Sequence, residues 1–298
     1  MKVNRTPDEC FGGLEGYPFV PHYAEVRAED GTLLRVHYVD EGPRNAAPII
    51  LMHGNPSWSY LYRNIIGRLV AQGHRVLAPD LMGLGRSDKP AARDDYSLAH
   101  HVAWMSQWLL ATGITDATLF AQDWGGVIGL PVALRHPERF ARLVASNTGL
   151  PTGQGATPAL QAWLDYSDQQ TSLPVSELIS QGTVKGLGVA ERRAYDAPFP
   201  DPSYQTGALA FPRLIPLQAD NPGVPLMLET WQLLERWTKP FLTVFGDRDP
   251  ISSGAEKGFQ ARVPGAAGQP HIVLTPATHF LQEDQPEAIV DHLHRFVA

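Results

Sequence analysis

The feature that most constrains this chain is the hexapeptide AQDWGG at residues 121–126. A run of apolar, β-favouring residues at 117–121 precedes it, and a pattern typical of a helix follows over residues 127–136. This order predicts a sharp turn that joins a strand to a helix and holds one side chain above the edge of a sheet. We expect the two glycines to permit the turn, because glycine tolerates positive φ angles and close backbone approach.

Asp123 occupies the tip of this predicted turn, where most enzymes with such a turn carry serine. A carboxylate is ionised at neutral pH, so it can displace a leaving group from saturated carbon without the help of a base. Activated water can hydrolyse the resulting alkyl ester, whereas it cannot cleave the ether that serine would form. Asp123 therefore indicates a substrate with a halide or an epoxide oxygen on saturated carbon. The competing interpretation is that Asp123 only caps the following helix.

Short apolar segments alternate with helical segments over the first half of the chain. The strand-like segments are residues 22–27, 34–40, 49–52, 75–79, 117–121 and 143–147, and the helical segments include 60–71 and 98–110. This alternation predicts an α/β fold with a doubly wound, mostly parallel sheet. In such a sheet ligands bind beyond the carboxyl ends of the strands, where the turn at Asp123 would lie.

The alternation stops near residue 151, where proline, glycine and polar residues become dense. A structureless stretch of this length would be unusual in a compact domain, which favours helices over a long functional loop. We therefore expect a core of residues 1–150 and 225–298 and a mainly helical cap, residues 151–224, over the active site. The expected later elements are helical patches at 158–165, 175–180 and 189–195, a helix at 225–237, and strands at 241–246 and 271–275.

The composition limits the partners and the compartment. A net charge of −7 and an isoelectric point near 5.9 argue against nucleic acid or an anionic membrane as a partner. Cys10 is the single cysteine, which excludes an intrachain disulfide and a cysteine-based metal site. The first residues lack the pattern of a signal peptide, and no apolar run is long enough to span a bilayer. We expect a cytoplasmic protein that is a monomer or a small homo-oligomer.

Hydrolysis of an ester on Asp123 requires a general base, and histidine is the usual one near neutral pH. In enzymes with this turn the chain order is nucleophile, acid, histidine. The histidines that follow Asp123 are His136, His271, His279, His292 and His294. Only His279 lies in a loop directly after a candidate core strand. The carboxylate that orients it would be Asp247 or Asp249, which both follow the strand at 241–246 and which spacing alone does not separate.

The oxyanion that forms during ester hydrolysis requires backbone N–H donors. One should come from Trp124, the residue after the nucleophile, and the other from the first loop of the sheet, at Asn55. Pro56 has no N–H and cannot serve.

The sequence resembles the haloalkane dehalogenases of the α/β-hydrolase superfamily from about residue 19 to its end. The segments that carry the resemblance are HGNPSWSYLYR at 53–63, DLMGLGRSDKP at 80–90, QDWGG at 122–126, YDAPFPD at 195–201 and the segment around His279. The resemblance implies an α/β-hydrolase fold with a helical cap. It also implies a reaction that requires no metal or organic cofactor.

The resemblance also implies the residues that receive the halide. Two indole N–H groups suit this role, because an indole donates and has no lone pair to repel the anion. The family places the first tryptophan directly after the nucleophile, at Trp124, and one branch places the second in the cap, at Trp163. That branch carries its acid after the late strand, which favours Asp249. It also carries glutamate where this chain has Asn55; in other branches the matching asparagine binds halide, so Asn55 is a candidate third donor.

We therefore expect hydrolytic dehalogenation of a small haloalkane by water to an alcohol, a halide ion and a proton. The nearest alternative is an epoxide hydrolase, in which two cap tyrosines would protonate the epoxide; Tyr166, Tyr195 and Tyr204 are available. A cofactor-free, luciferase-like oxygenase and a non-catalytic ligand-binding protein are further alternatives, because fold alone does not determine function.

Overall fold

A large sheet forms the centre of the computed structural model, which describes residues 1–298. The strands are β1 (Val3–Asn4), β2 (His22–Arg27), β3 (Leu33–Glu41), β4 (Pro48–Met52), β5 (Arg75–Pro79), β6 (Lys89–Pro90), β7 (Ala117–Gln122), β8 (Phe140–Ser146), β9 (Phe241–Gly246) and β10 (Ile272–Leu274). β1 and β6 pair as a separate short ribbon, and the other eight strands form one sheet.

The strand order in the large sheet is β10-β9-β8-β7-β4-β5-β3-β2. Every neighbouring pair from β10 to β5 is parallel, and β3 and β2 add two antiparallel strands at one edge. All residues of β4, β7 and β9 are buried, as expected of strands that are covered by helices on both faces. The predicted doubly wound, mostly parallel sheet is confirmed.

The helices lie between the strands and in one long segment. They are α1 (Arg63–Ala71), α2 (Leu98–Thr112), α3 (Trp124–Arg135), α4 (Pro158–Asp168), α5 (Val175–Gln181), α6 (Val189–Asp196), α7 (Thr206–Leu214), α8 (Val224–Leu234), α9 (Ala255–Arg262), α10 (Leu281–Asp284) and α11 (Pro286–Val297). The helices that cover the sheet include two packed groups. In one, α1 packs against α11; in the other, α3 packs against α2 and α8. None of the helices has the length and apolarity that a membrane span requires.

The segment between β8 and α8 contains four helices and no strand of the large sheet. Three of them, α4, α5 and α6, lie where the helical patches were predicted. The fourth, α7, was not predicted, and neither was α9. Pro212 lies inside α7, where proline removes a backbone donor and weakens the helical pattern of the sequence.

The turn between β7 and α3 consists of Asp123 alone, which has φ 53° and ψ −125°. The positive φ therefore belongs to the aspartate, and the prediction that the glycines supply it is wrong. The other expected property of the glycines, close backbone approach, is confirmed. A Cβ on Gly125 would lie 2.1 Å from the carbonyl oxygen of Met52 in β4, and one on Gly126 would lie 2.2 Å from Oγ1 of Thr148. Because Gly125 and Gly126 have no Cβ, α3 can start directly against the sheet.

We expect Gly125→Ala to lower the free energy of unfolding by about 1–3 kcal/mol, because the added methyl group overpacks against the β4 backbone. Gly67→Ala is the matched control, since Gly67 lies inside α1 with open space around its Cβ position. The control should raise the free energy of unfolding by about 0.5–1 kcal/mol. Denaturant unfolding of both variants measures the difference, and a Gly125→Ala protein as stable as the unsubstituted one would contradict the packing account.

Candidate active site

Asp123 presents its carboxylate to two groups at the carboxyl edge of the sheet. Its Oδ2 accepts a hydrogen bond from the backbone N–H of Asn55 at 2.9 Å, and its Oδ1 lies 3.6 Å from Nε2 of His279. The side chain makes no capping hydrogen bond to α3, so the interpretation of Asp123 as a helix cap is wrong. A Cβ on Gly54 would lie 2.0 Å from Oδ2, so this glycine is what allows the Asn55 N–H to reach the carboxylate.

His279 lies between two carboxylates, one at each ring nitrogen. Its Nδ1 is 3.1 Å from Oδ1 of Asp249, whose side chain is fully buried. Asp249 also accepts hydrogen bonds from the backbone N–H of Ile251 at 2.9 Å and from the hydroxyl of Ser252. Asp247, the other candidate acid, instead accepts from the backbone N–H of Ala277 at 2.9 Å. The structure therefore brings Asp249, and not Asp247, to the histidine.

The two carboxylates determine the charge of His279. Burial lowers the pKa of His279, but the charge of Asp249 and the contacts with Asp123 outweigh it and raise that pKa from 6.5 to about 10. Burial raises the pKa of Asp249, and the charge and hydrogen bonds of its partners reverse this and lower it to about 2. The resting site at neutral pH is an imidazolium between two carboxylates. If Asp123 loses its charge, the pKa of His279 must fall, because one of the two anions is gone.

The first loop of the sheet is held by His53, a residue to which the sequence analysis gave no role. The ring is fully buried, its Nε2 accepts the backbone N–H of Leu81 at 3.0 Å, and its Nδ1 donates to the carbonyl oxygen of Gly54 at 2.8 Å. Burial lowers the pKa of His53, which keeps the ring neutral. These contacts fix the tautomer and the direction of the Asn55 N–H. Of the two predicted oxyanion donors, Asn55 contacts the carboxylate, whereas the Trp124 N–H makes no hydrogen bond to it.

The loop that carries His279 is held by two amides that sequence analysis also missed. Asn147, directly after β8, donates through Nδ2 to the carbonyl oxygens of Thr278 at 2.7 Å and His279 at 3.1 Å. Its Oδ1 accepts from the backbone N–H of Gly246 at the end of β9, at 2.8 Å. Gln122 donates to the same His279 carbonyl at 3.1 Å. The signal in the sequence was an amide residue at the end of an apolar strand segment, Gln122 at the end of β7 and Asn147 after β8.

A cavity of about 730 Å³ opens in front of Asp123 and His279, and it is lined by both predicted halide donors, Trp124 and Trp163. Neither indole nitrogen has an acceptor within the protein. Trp231 lines the same cavity but donates to the backbone carbonyl of Leu150, and Trp58 donates to that of Ala194. Trp108 and Trp237 also lack an acceptor, but neither belongs to the cavity lining. Trp124 and Trp163 are therefore the two lining tryptophans whose indole N–H groups have no acceptor in the protein.

Asn55 also lines this cavity, and its side chain is partly committed elsewhere. Nδ2 donates to the carbonyl oxygen of Ala208 in α7 at 3.2 Å, and Oδ1 is buried without a partner. An amide nitrogen has two hydrogens, so one N–H of Asn55 remains for an anion in the cavity.

Comparison with known proteins identifies close relatives. Residues 47–185 match a family model described as alpha/beta hydrolase fold. A haloalkane dehalogenase from Mycobacterium marinum is 49% identical over 98% of this chain and 99% of the relative. One from Psychrobacter cryohalolentis is 47% identical over 100% of this chain and 98% of the relative. Among solved structures, the tetrameric haloalkane dehalogenase from Paraglaciecola agarilytica superposes with a TM-score of 0.90 at 32% identity, covering 99% of this chain and 97% of the other.

We expect Asp123→Asn to lower the pKa of His279, because the substitution removes one of the two anions that stabilise the imidazolium. NMR titration of the ring nitrogens should give a value near 10 in the unsubstituted protein and a lower one in the variant. The raised pKa stabilises the folded state fully below about pH 6.5, and this contribution is lost as the pH rises through 10. The free energy of unfolding should therefore decline less steeply over that interval in the variant. Equal pKa values in the two proteins would contradict the charge assignment.

Proposed function

The chain belongs to the haloalkane dehalogenases, hydrolases that act on carbon–halide bonds, and we propose that it cleaves this bond through a covalent ester on Asp123. The observation that supports this proposal is the placement of the Asp123 carboxylate, His279 and two free indole N–H groups around one cavity. The substrate is a small haloalkane, and water is the second reactant.

In the first step Oδ1 of Asp123 attacks the saturated carbon that bears the halogen. The C–O bond forms as the carbon–halide bond breaks, and its electron pair leaves with the halide. Trp124 and Trp163 donate to the departing anion, with Asn55 as a third donor. Oδ2 is the better candidate for the carbonyl oxygen of the ester, because the Asn55 N–H already binds it.

In the second step His279 becomes a base because the ester has no charge. Its pKa falls, and the proton that it loses to solvent is the proton released in the reaction. Nε2 then takes a proton from water as the water attacks the ester carbonyl. The backbone N–H groups of Asn55 and Trp124 donate to the oxyanion that forms. Asp249 stabilises the imidazolium that forms. Collapse expels the alkoxide, which takes the proton of the new carboxylic acid, so the alcohol leaves and the resting ion pair is restored.

The epoxide hydrolase alternative lacks its proton donors in this cavity. None of Tyr166, Tyr195 and Tyr204 lines it. Tyr195 is fully buried and donates its hydroxyl to Glu283, outside the cavity. Membership of the family likewise favours dehalogenation over the oxygenase and the non-catalytic alternatives.

We also propose that residues 151–224 form the cap over the cavity. Trp163 of α4 and Leu178 of α5 belong to the cavity lining, as a cap requires. A monomeric or small homo-oligomeric state stays a prediction from the sequence, as does a cytoplasmic location.

The ester should accumulate when the base is removed. We expect His279→Phe to become alkylated at Asp123 on incubation with 1-bromobutane, because displacement of bromide does not require the histidine. Intact-protein and peptide mass spectrometry locate the butyl group. The double variant Asp123→Asn, His279→Phe is the control and should stay unmodified. An unmodified single variant would count against the covalent route.

Loss of an indole N–H at the halide position should weaken halide binding while the aromatic ring is kept. We expect Trp163→Phe to lower kcat/KM about 10- to 100-fold, as for a hydrogen bond to a charged group, and to weaken product inhibition by bromide. Trp231→Phe is the matched control, since Trp231 lines the same cavity but donates to Leu150. If both variants weaken bromide inhibition equally, Trp163 is not a halide donor.

A further inference from the structure

We propose that Thr278 and Asp284 are positioning residues that tie His279 to the cap, so that ester hydrolysis depends on this contact and halide displacement does not. The inference rests on the two-step reaction proposed above. It concerns the His279 loop, residues 275–280 between β10 and α10, and the α5 tail, residues 182–184, which directly follows α5.

The residues on both sides of His279 bind the same backbone oxygen of the α5 tail. The hydroxyl of Thr278 donates to the carbonyl oxygen of Gly182 at 2.6 Å, and the backbone N–H of Phe280 donates to it at 3.0 Å. The approach is close, because a Cβ on Gly182 would lie 2.7 Å from the ring of Phe280. The neighbours of the histidine on both sides therefore hydrogen-bond to one carbonyl oxygen of the α5 tail.

Asp284 adds a second bridge between the same two segments. Its Oδ1 accepts the backbone N–H of Val184 in the α5 tail at 2.6 Å. Its Oδ2 accepts the backbone N–H of Thr278 at 2.8 Å and also lies 2.6 Å from the Thr278 hydroxyl. A hydroxyl has one proton, so Thr278 donates to Gly182 or to Asp284 at a given moment. The backbone N–H keeps Asp284 bound to the loop in either case.

The opposite side of the His279 loop is fixed by the core. Asn147 and Gln122 bind the carbonyl oxygen of His279, as described above. The loop is thus held between the sheet and the α5 tail. Gly182 of the α5 tail belongs to the cavity lining, together with Leu178 and Gln181 of α5 and Thr278 itself. The α5 tail therefore contacts the substrate space and also sets the position of the base.

The nucleophile has contacts of its own with the core, besides the ion pair with His279. Asp123 is bound by the backbone of Asn55 and by the hydroxyl of Thr148, and neither of these residues hydrogen-bonds to the α5 tail. Displacement of the halide requires Asp123 and the indoles, whereas hydrolysis of the ester requires His279 at a defined distance from the ester carbonyl. A small displacement of a catalytic group slows its step strongly, so a loosened His279 loop should slow only the second step.

The test is a rapid-quench measurement of both steps with 1-bromobutane in Thr278→Val, which removes the hydroxyl and keeps the shape of the side chain. We expect bromide release in the first turnover to stay within about twofold, and hydrolysis of the alkyl-enzyme to slow about tenfold or more. Alkylated protein should then accumulate in the mass spectrum during turnover. Thr278→Ser, which keeps the hydroxyl, should restore hydrolysis. Asp284→Asn is the second variant, to be used if Thr278→Val does not fold, and it should slow the same step.

Thr6→Val is the matched control. Thr6 is a buried threonine whose hydroxyl donates to the backbone carbonyl of Pro198, in the predicted cap, at 2.7 Å. The change removes the same kind of bond at residues that make no hydrogen bond to the His279 loop. It should leave both steps unchanged.

Equal slowing of both steps in Thr278→Val, unchanged hydrolysis, failure of Thr278→Ser to restore the rate, or the same defect in Thr6→Val would overturn the inference. These outcomes are distinct from failure of the proposed function, in which no alkyl-enzyme would form even in His279→Phe.

Discussion

The imidazolium of His279 between the carboxylates of Asp123 and Asp249 is the interaction on which the site depends. Like charges alone would drive the fully buried carboxylate of Asp249 and the partly buried one of Asp123 apart, so the cation between them stabilises both. The sheet makes this arrangement possible. Asn55, Asp123, Asn147, Asp249 and His279 follow β4, β7, β8, β9 and β10, which are consecutive neighbours in the strand order. Asp123 follows β7 and His279 follows β10, which lies three positions away in the sheet. Because adjacent strands lie about 4.8 Å apart, the loops after these two strands must converge to bring the side chains together.

Convergence of these loops has a conformational cost that other contacts offset. Asp123 adopts a positive φ, which is unfavourable for a residue with a side chain. Asn147 also has a positive φ of 34°, and it is the residue that binds both the end of β9 and the His279 loop. Strained residues of this kind persist only where the surroundings leave no alternative. Here the glycines of α3, the buried His53 and the two amides leave none.

The sequence was sufficient for the sheet, for the turn at Asp123 and for His279 as the histidine beside it, because these follow from local patterns and from the order of elements. It was insufficient where the answer depends on distances between separate segments. Spacing could not separate Asp247 from Asp249, since both follow β9 and only the tertiary structure turns one toward the ring. For the glycines of the turn, close approach was correctly expected and positive φ was not; the partners of that approach, Met52 and Thr148, are not visible in one segment. The support from His53 and Asn147 was missed for the same reason, as both act through backbone groups of distant residues.

The connection from β8 to β9 joins two strands that are neighbours in the sheet, yet it contains all the helices from α4 to α8. Because this connection contributes no strand to the large sheet, insertions and substitutions in it leave the register of the strands unchanged. Changes in this connection can therefore alter the shape of the cavity while Asp123 and His279, which follow β7 and β10, keep their places. The positions that contact the rest of the molecule limit this freedom, among them Gly182 at the His279 loop and Ala208 at Asn55. A connection taken from a relative would have to match these contacts first.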